Sequence, residues 1–296
     1  MTRLKHLIFG SLIVPTFAIS GGLERSELPT SFLYESGSYL EVTYINRNYE
    51  ITDNMFAPSR SMLDDVSSLH FATKFDASEN LSVGLARYNQ AGASHNYQGA
   101  GSPLPGFSAV GPRTELSINA LAVLGRYSMD DFSAIGGIKI STVADATADI
   151  FKLSGAVTAA SIEGGSDTGF VAGIAYEKPD IALRVELVYE TEASFSLPTT
   201  GGLLGAATAN TTASVPDYRT LNFQSGIAED TLLYGSIRQA DWSNHQVAVA
   251  PQTQAAPTSD FSDSTTYTIG IGRKISDQWS ATVSYKTEEA TDNTGT

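Results

Sequence analysis

The amino-acid sequence predicts an all-β fold, and within that class an antiparallel transmembrane β-barrel of the outer membrane. Three observations predict it. Segments of about ten residues alternate apolar with polar or small side chains, the period that sends successive side chains to opposite faces of a strand. The connections between these segments alternate between tight turns and long polar stretches, as they do when one rim of a barrel faces the periplasm and the other the outside. The 42% of residues that are hydrophobic are spread thinly along the chain, apart from one apolar stretch at its start.

That stretch is the first element. Arg3 and Lys5 precede an apolar run over residues 7–18, and the small-residue exit Ala18-Ile19-Ser20 stands before Gly21-Gly22. Charge, apolar core and small exit in that order read as a secretory signal peptide over residues 1–20, cleaved after Ser20 and too short to span a bilayer. A buried N-terminal helix is the alternative. An exported chain with no cysteine has no disulfide framework, so a large core or lipid must hold it together. The formal charge of −14 argues against nucleic acid as a partner, and solvated acidic loops account for it.

From Tyr39 onward the strands follow. Leu40, Val42 and Tyr44 oppose Glu41, Thr43 and Ile45, and Leu81, Val83 and Leu85 oppose Ser82, Gly84 and Ala86. Ile181, Leu183, Val185, Leu187 and Tyr189 form an apolar face against Ala182, Arg184, Glu186, Val188 and Glu190. Tyr267, Ile269 and Ile271 alternate with Thr266, Thr268, Gly270 and Gly272, and Trp279, Ala281, Val283 and Tyr285 with Ser280, Thr282, Ser284 and Lys286. The pattern over residues 232–242 is blurred.

Turn-forming residues mark tight connections at 76–80, 129–131, 178–180, 229–230 and 276–278. Long connections rich in Gly, Ala, Ser, Thr, Asn and Pro run over 51–65, 88–113, 142–165, 195–218 and 243–264. Residues 151–157 suit an extra hairpin or helix over the mouth. A soluble β-sandwich or β-helix has no reason to sort its loops by length in this way. The count is eleven strands, and a bacterial barrel normally closes with an even number, so a barrel incomplete at its C-terminus is expected unless a strand is missed or split. Trp279, Tyr127, Tyr176 and Trp242 stand where aromatic girdles would lie at the two rims, although cross-strand packing also places rings there.

Nothing in the chain points to an enzyme. His70, His95 and His245 form no close pair, and no Gly-x-Ser-x-Gly nucleophile turn is present. Asp64-Asp65 and Asp130-Asp131 are turn carboxylates without metal-loop spacing, and Gly270-Ile271-Gly272 lies within a strand pattern rather than at a dinucleotide turn, so no cofactor or metal is expected. Arg184, Glu186, Glu190 and Arg238 are expected to face the lumen, as a charge network filling the interior or as a polar route through it.

Residues Gly21-Gly22-Leu23-Glu24-Arg25-Ser26, leading to Phe32-Leu33-Tyr34-Glu35-Ser36-Gly37-Ser38-Tyr39-Leu40-Glu41, resemble the start of short alphaproteobacterial members of the outer membrane protein transport family, which includes long-chain fatty acid and toluene transporters. Residues 175–184, 231–238 and 267–274 are similar to strand pairs of that group, so the resemblance covers most of the chain after the leader. It implies a barrel of about fourteen strands with an N-terminal hatch and a lateral opening. On that implication residues 21–38 form a periplasmic plug or hatch and residues 39–296 the barrel, with Leu23, Phe32 and Leu33 as candidate pocket or plug residues. The Asn-Pro-Ala hatch motif of longer members is absent.

The resemblance implies outer-membrane transport of hydrophobic small molecules, chiefly long-chain fatty acids and also aromatic hydrocarbons, by passive diffusion through a plugged barrel with lateral exit. The partners expected are those ligands, outer-membrane lipid and lipopolysaccharide, and the protein is expected to be a monomer. Glycines such as Gly84 and Gly173 either permit a kink that opens the wall or leave room for neighbours. A general or sugar-selective porin is the first alternative, and a structural or adhesive surface barrel the second.

Overall fold

The computed structural model describes residues 22–49, 61, 63–96, 113–151, 157–205, 207–250, 259–276 and 278–289. The expected leader lies outside the described residues, as do the His95 side chain and much of the long connections.

The strands are β1 (Tyr39–Arg47), β2 (Val66–Asp76), β3 (Leu81–Asn96), β4 (Arg113–Met129), β5 (Phe132–Val143), β6 (Ala146–Phe151), β7 (Val157–Ile162), β8 (Gly165–Lys178), β9 (Leu183–Glu190), β10 (Ala193–Gly201), β11 (Thr208–Val215), β12 (Tyr218–Ala228), β13 (Thr231–Ala240), β14 (Ser264–Lys274) and β15 (Ser280–Glu288). Eleven of them, β1–β5, β8, β9 and β12–β15, pair antiparallel in chain order and make the wall. These are the strands that the alternation predicts. Among the described residues no ladder joins β1 to β15.

The other four correct the reading of residues 142–165 and 195–218 as loops. β6 and β7 form a hairpin, β10 and β11 a second, and the two pair through β7 and β10. Of residues 151–157, Phe151 and Val157 pair at the end of that first hairpin, and residues 152–156 lie outside the described residues. The hairpins join the wall where Arg113 and Thr114 of β4 meet Asp149 and Ala148 of β6. They escape sequence reading because they are short and rich in Ala, Thr and Ser; β10 does alternate, Phe195 and Leu197 buried against exposed Ser194 and Ser196, but Pro198 inside it reads as a loop signal. β3 likewise runs on to Asn96, through residues read as connection. Ile181 belongs to a 3-10 turn before β9 rather than to the strand itself.

The tight turns fall where expected. Asp130 and Asp230 adopt left-handed backbone at φ of 51° and 55°, a conformation that aspartate tolerates.

The outward face of the wall is apolar: Leu40, Val42, Ile138, Phe170, Ile174, Leu187, Ile269 and Val283 are all exposed, Ile174 at 64% and Val283 at 72%. The inner face carries Lys139, Glu186, Glu190 and Arg238, all buried. This inverts a water-soluble protein and matches a sheet whose outside is solvated by lipid. No helix among the described residues is long and apolar enough to cross a membrane. The sheet curls, since the Tyr88 hydroxyl on β3 reaches Glu190 on β9 at 3.2 Å although three strands separate β3 from β9 in the wall.

Candidate functional site

Residues 22–38 lie against the inner face of the wall, where β3 receives them. Gly92 N–H donates to Leu23 O at 2.8 Å and Arg25 N–H to Gln90 O at 2.9 Å, with Glu24 bridging to Ala91. A 3-10 turn over Ser31–Tyr34 then buries Phe32 and Leu33. Two glycines make the close approach possible. A Cβ at Gly84 would lie 2.4 Å from the Phe32 ring, and one at Gly22 2.2 Å from the Trp242 ring. Gly84 therefore leaves room for a neighbour, the second of the two roles expected for it.

The interior is layered. Toward the long loops, Leu23 packs with Ile118, Val143, Phe195, Leu197, Tyr218 and Trp242. Toward the tight turns, Phe32 and Leu33 pack with Leu28, Ala86, Tyr88, Leu124 and Val188. Leu23 is thus not in one pocket with Phe32 and Leu33. Trp242 is 0% exposed, which removes it from any girdle; Trp279 and Tyr127 are exposed at the tight-turn rim.

Between the apolar layers lie the charges. Arg238 pairs with Glu24 at 2.7 Å and Glu190 at 3.2 Å, donates to Thr220 at 2.6 Å, and covers the Tyr218 ring at 3.9 Å. Lys139 also meets Glu190, at 3.1 Å, and Lys286 on β15 meets Glu27 at 2.8 Å. Burial pushes the Glu27 carboxyl up, but Lys286 and then Arg238 bring it below its ordinary value.

Nearer the tight turns, Tyr34 sits between the guanidiniums of Arg126 and Arg184, 4.4 and 4.1 Å from its ring centre. Its hydroxyl donates to Glu186 at 2.8 Å, and Thr30 and Asn222 donate to the same carboxylate. Burial, and then the Glu186 charge, raise the Tyr34 phenol well above its ordinary value. The four expected lumen residues therefore divide into two groups, Glu190 with Arg238 and Arg184 with Glu186, each tied to the N-terminal segment. Sequence reading missed Glu24, Glu27, Tyr34, Lys139 and Lys286. Of these Lys139, a lone cation between Ile138 and Ile140, and Lys286, on the polar face of the alternation over residues 279–286, carry a local signal.

The wall has a gap. The β2–β3 ladder holds from Asp76↔Ser82 to Phe71↔Arg87 and then stops, while β1–β2 continues to Arg47↔Val66 and β3–β4 to Asn96↔Arg113. A bulge between Asn89 and Ala91 redirects β3 at that point. A cavity of about 790 Å³ lies there, lined by Arg25, Leu69, Arg87, Asn89, Ser117 and Asn119 among others. Asn89 N–H donates to His70 Nε2 at 3.2 Å across the opening.

A curled antiparallel wall, apolar outside and filled inside by its own N-terminal segment, defines the class of transmembrane β-barrels with an internal N-terminal segment. Searches of protein-family models and of curated proteins returned no match. Among solved structures the fold is similar to that of a Pseudomonas aeruginosa FadL homologue, with TM-score 0.61, 14% identity, 84% of this chain and 69% of that one covered. It is also similar to the Ralstonia pickettii toluene transporter TbuX (0.55, 9%, 85% and 75%) and the Pseudomonas putida toluene transporter TodX (0.53, 12%, 85% and 73%). The chain has the fold of the FadL-type barrels.

Proposed function

We propose that this protein stands in the outer membrane and passes hydrophobic small molecules, long-chain fatty acids first among them, by passive diffusion. In this reading residues 22–38 act as the plug and the ligand leaves sideways through the β2–β3 gap. The observation that carries it is the pairing of a filled lumen with an open wall: Arg238, Phe32 and Tyr34 occupy the axial path, while the cavity at Arg87 and Asn89 opens through the wall. An apolar ligand gains by entering lipid directly rather than crossing a wet pore. The gap is lined mainly by polar side chains, which suits a ligand with a polar head, such as a fatty acid, better than a bare aromatic hydrocarbon.

Uptake of radiolabelled oleate by cells lacking their own transporter and carrying the full-length gene tests the proposal. Protein-dependent uptake is expected. No uptake, together with liposomes made permeable to sugars, would give the protein to the porin class.

A further inference from the structure

We propose that the rim of the β2–β3 gap is a binding site for the phosphate-bearing head group of an outer-leaflet lipid, held by Arg25 and Arg87. The inference rests on the barrel lying in the outer membrane and not on what it transports.

The first observation is a group of arginines that form no ion pair among the described residues. Arg25 and Arg87 line the cavity with Arg113, Asp64, Asp65 and Glu115; Arg47 stands near enough to Arg25 to repel it, and Glu115 near enough to attract it. Among the described residues none of Arg25, Arg47 and Arg87 forms an ion pair. Arg25 donates to the Asn89 side chain at 3.3 Å, Arg87 to Leu69 O at 3.3 Å, and Arg47 to Arg25 O and the Ser26 hydroxyl. All of these acceptors are neutral. Arg47 is buried, and its Nη1 has no hydrogen-bond partner among the described residues. Asp64, Asp65 and Glu115 line the same cavity, but no ion pair joins them to Arg25 or Arg87 among the described residues, so these guanidiniums keep donors for an anion with several oxygens, and phosphate matches their forked geometry. The Asn89, Ser117 and Asn119 side chains add polar groups around the same cavity.

The second observation is height. On the outer surface the apolar belt includes Tyr44 on β1, Leu69 on β2, Leu121 on β4 and Ile140 on β5, all exposed. One pair further toward the long loops the outward residues are polar: Asn46 with Ser67, and Asn119 with Thr142. Arg87 is paired with Leu121, on that boundary. The site thus sits where acyl chains give way to head groups, and a basic residue at that level attracts anionic lipid. The acids of the cavity lie further out: Asp64 pairs with Arg113 at 3.6 Å, Asp65 accepts from Tyr49 N–H, and Glu115 faces Ser94 four pairs beyond Asn119 on the ladder, counting the bulge as one step.

The test is native mass spectrometry of the full-length protein in detergent, with lipid A and with the same lipid A stripped of its phosphates. The expected result is about tenfold greater retention of the phosphorylated form, lost in Arg25→Gln/Arg87→Gln, the ratio for roughly one charge-assisted contact. Heat-modifiable gel mobility checks that each variant forms a barrel. Arg87→Gln alone, on the exposed face, serves if the double variant fails to fold, and is expected to lower retention. Equal retention of the two lipids, retention of neither, or a preference that survives both substitutions would overturn the proposal. So would oleate binding that needs these arginines while lipid A binding does not. A negative result with oleate uptake would leave this inference standing.

Discussion

Arg238 is 3% exposed and keeps its charge company with two carboxylates from distant parts of the chain, Glu24 and Glu190. Replacing it by methionine takes a cation from both acids, leaving Glu190 with Lys139 alone, and the expected cost is about 3–5 kcal/mol, read as a lower urea midpoint in detergent or liposomes. Lys286→Met breaks a more exposed pair and is expected to cost less. Its effect carries a sign with pH. The Glu27 carboxyl is held below its ordinary value, so its stabilising contribution is full above the unfolded-state value and is lost as pH falls through the lowered folded value. Glu27→Gln is therefore expected to flatten the acid limb of the melting-temperature profile, and a limb unchanged from wild type would contradict the assignment. Gly84→Leu drives a side chain into the Phe32 ring, and the expected outcome is displacement of residues 22–38, seen as faster protease cleavage after Arg25. Which residues face inward was legible along β9, where alternation assigns Arg184, Glu186 and Glu190 to the wet face; along β13 the pattern is blurred, and only its charge marked Arg238. Their partners were not, because Glu24 and Glu27 lie in a segment without period and meet the wall only across the lumen.

Most of the eleven wall strands were legible one by one, since each has a side facing lipid and a side facing the interior, and turn residues punctuate them; β13, where the pattern is blurred, was legible mainly by its bounding turn. The hairpins β6–β7 and β10–β11 were not, because their strands are short and rich in Ala, Thr and Ser, and the alternation of Phe195 and Leu197 in β10 is interrupted by Pro198. The wall gap is a property of a ladder, and depends on which strand β3 leaves. Its local cause is the single extra residue between Asn89 and Ala91. Deleting Gln90 removes the bulge and is expected to extend the β2–β3 ladder beyond Phe71↔Arg87, narrowing the cavity. Oleate uptake should fall at least about tenfold while heat-modifiable mobility persists. Uptake unchanged by this deletion would place the exit elsewhere.

At the scale of the whole molecule the fold turns a soluble protein inside out, with isoleucine, leucine and valine on the surface and an ionic network within. A cation on the lipid face is accordingly the severe substitution. Ile174→Lys, on an exposed belt position of β8, is expected to destabilise the protein in liposomes by about 2–4 kcal/mol if it lies near the bilayer midplane, with little effect in polar solvent-like detergent head groups. Refolding titrations in the two media measure the difference.

By itself the sequence determined the fold class, the inward and outward faces of most wall strands, the tight-turn rim, and the position of four lumen charges. Those properties follow from nearest neighbours along the chain, where a period of two and a turn residue suffice. Only the tertiary structure decided that Glu24 meets Arg238, that Tyr34 sits between Arg126 and Arg184, that Trp242 is covered, and that β2 and β3 part above Arg87. Each of these joins residues far apart in sequence, and the curl of the sheet, not any local pattern, brings them within reach.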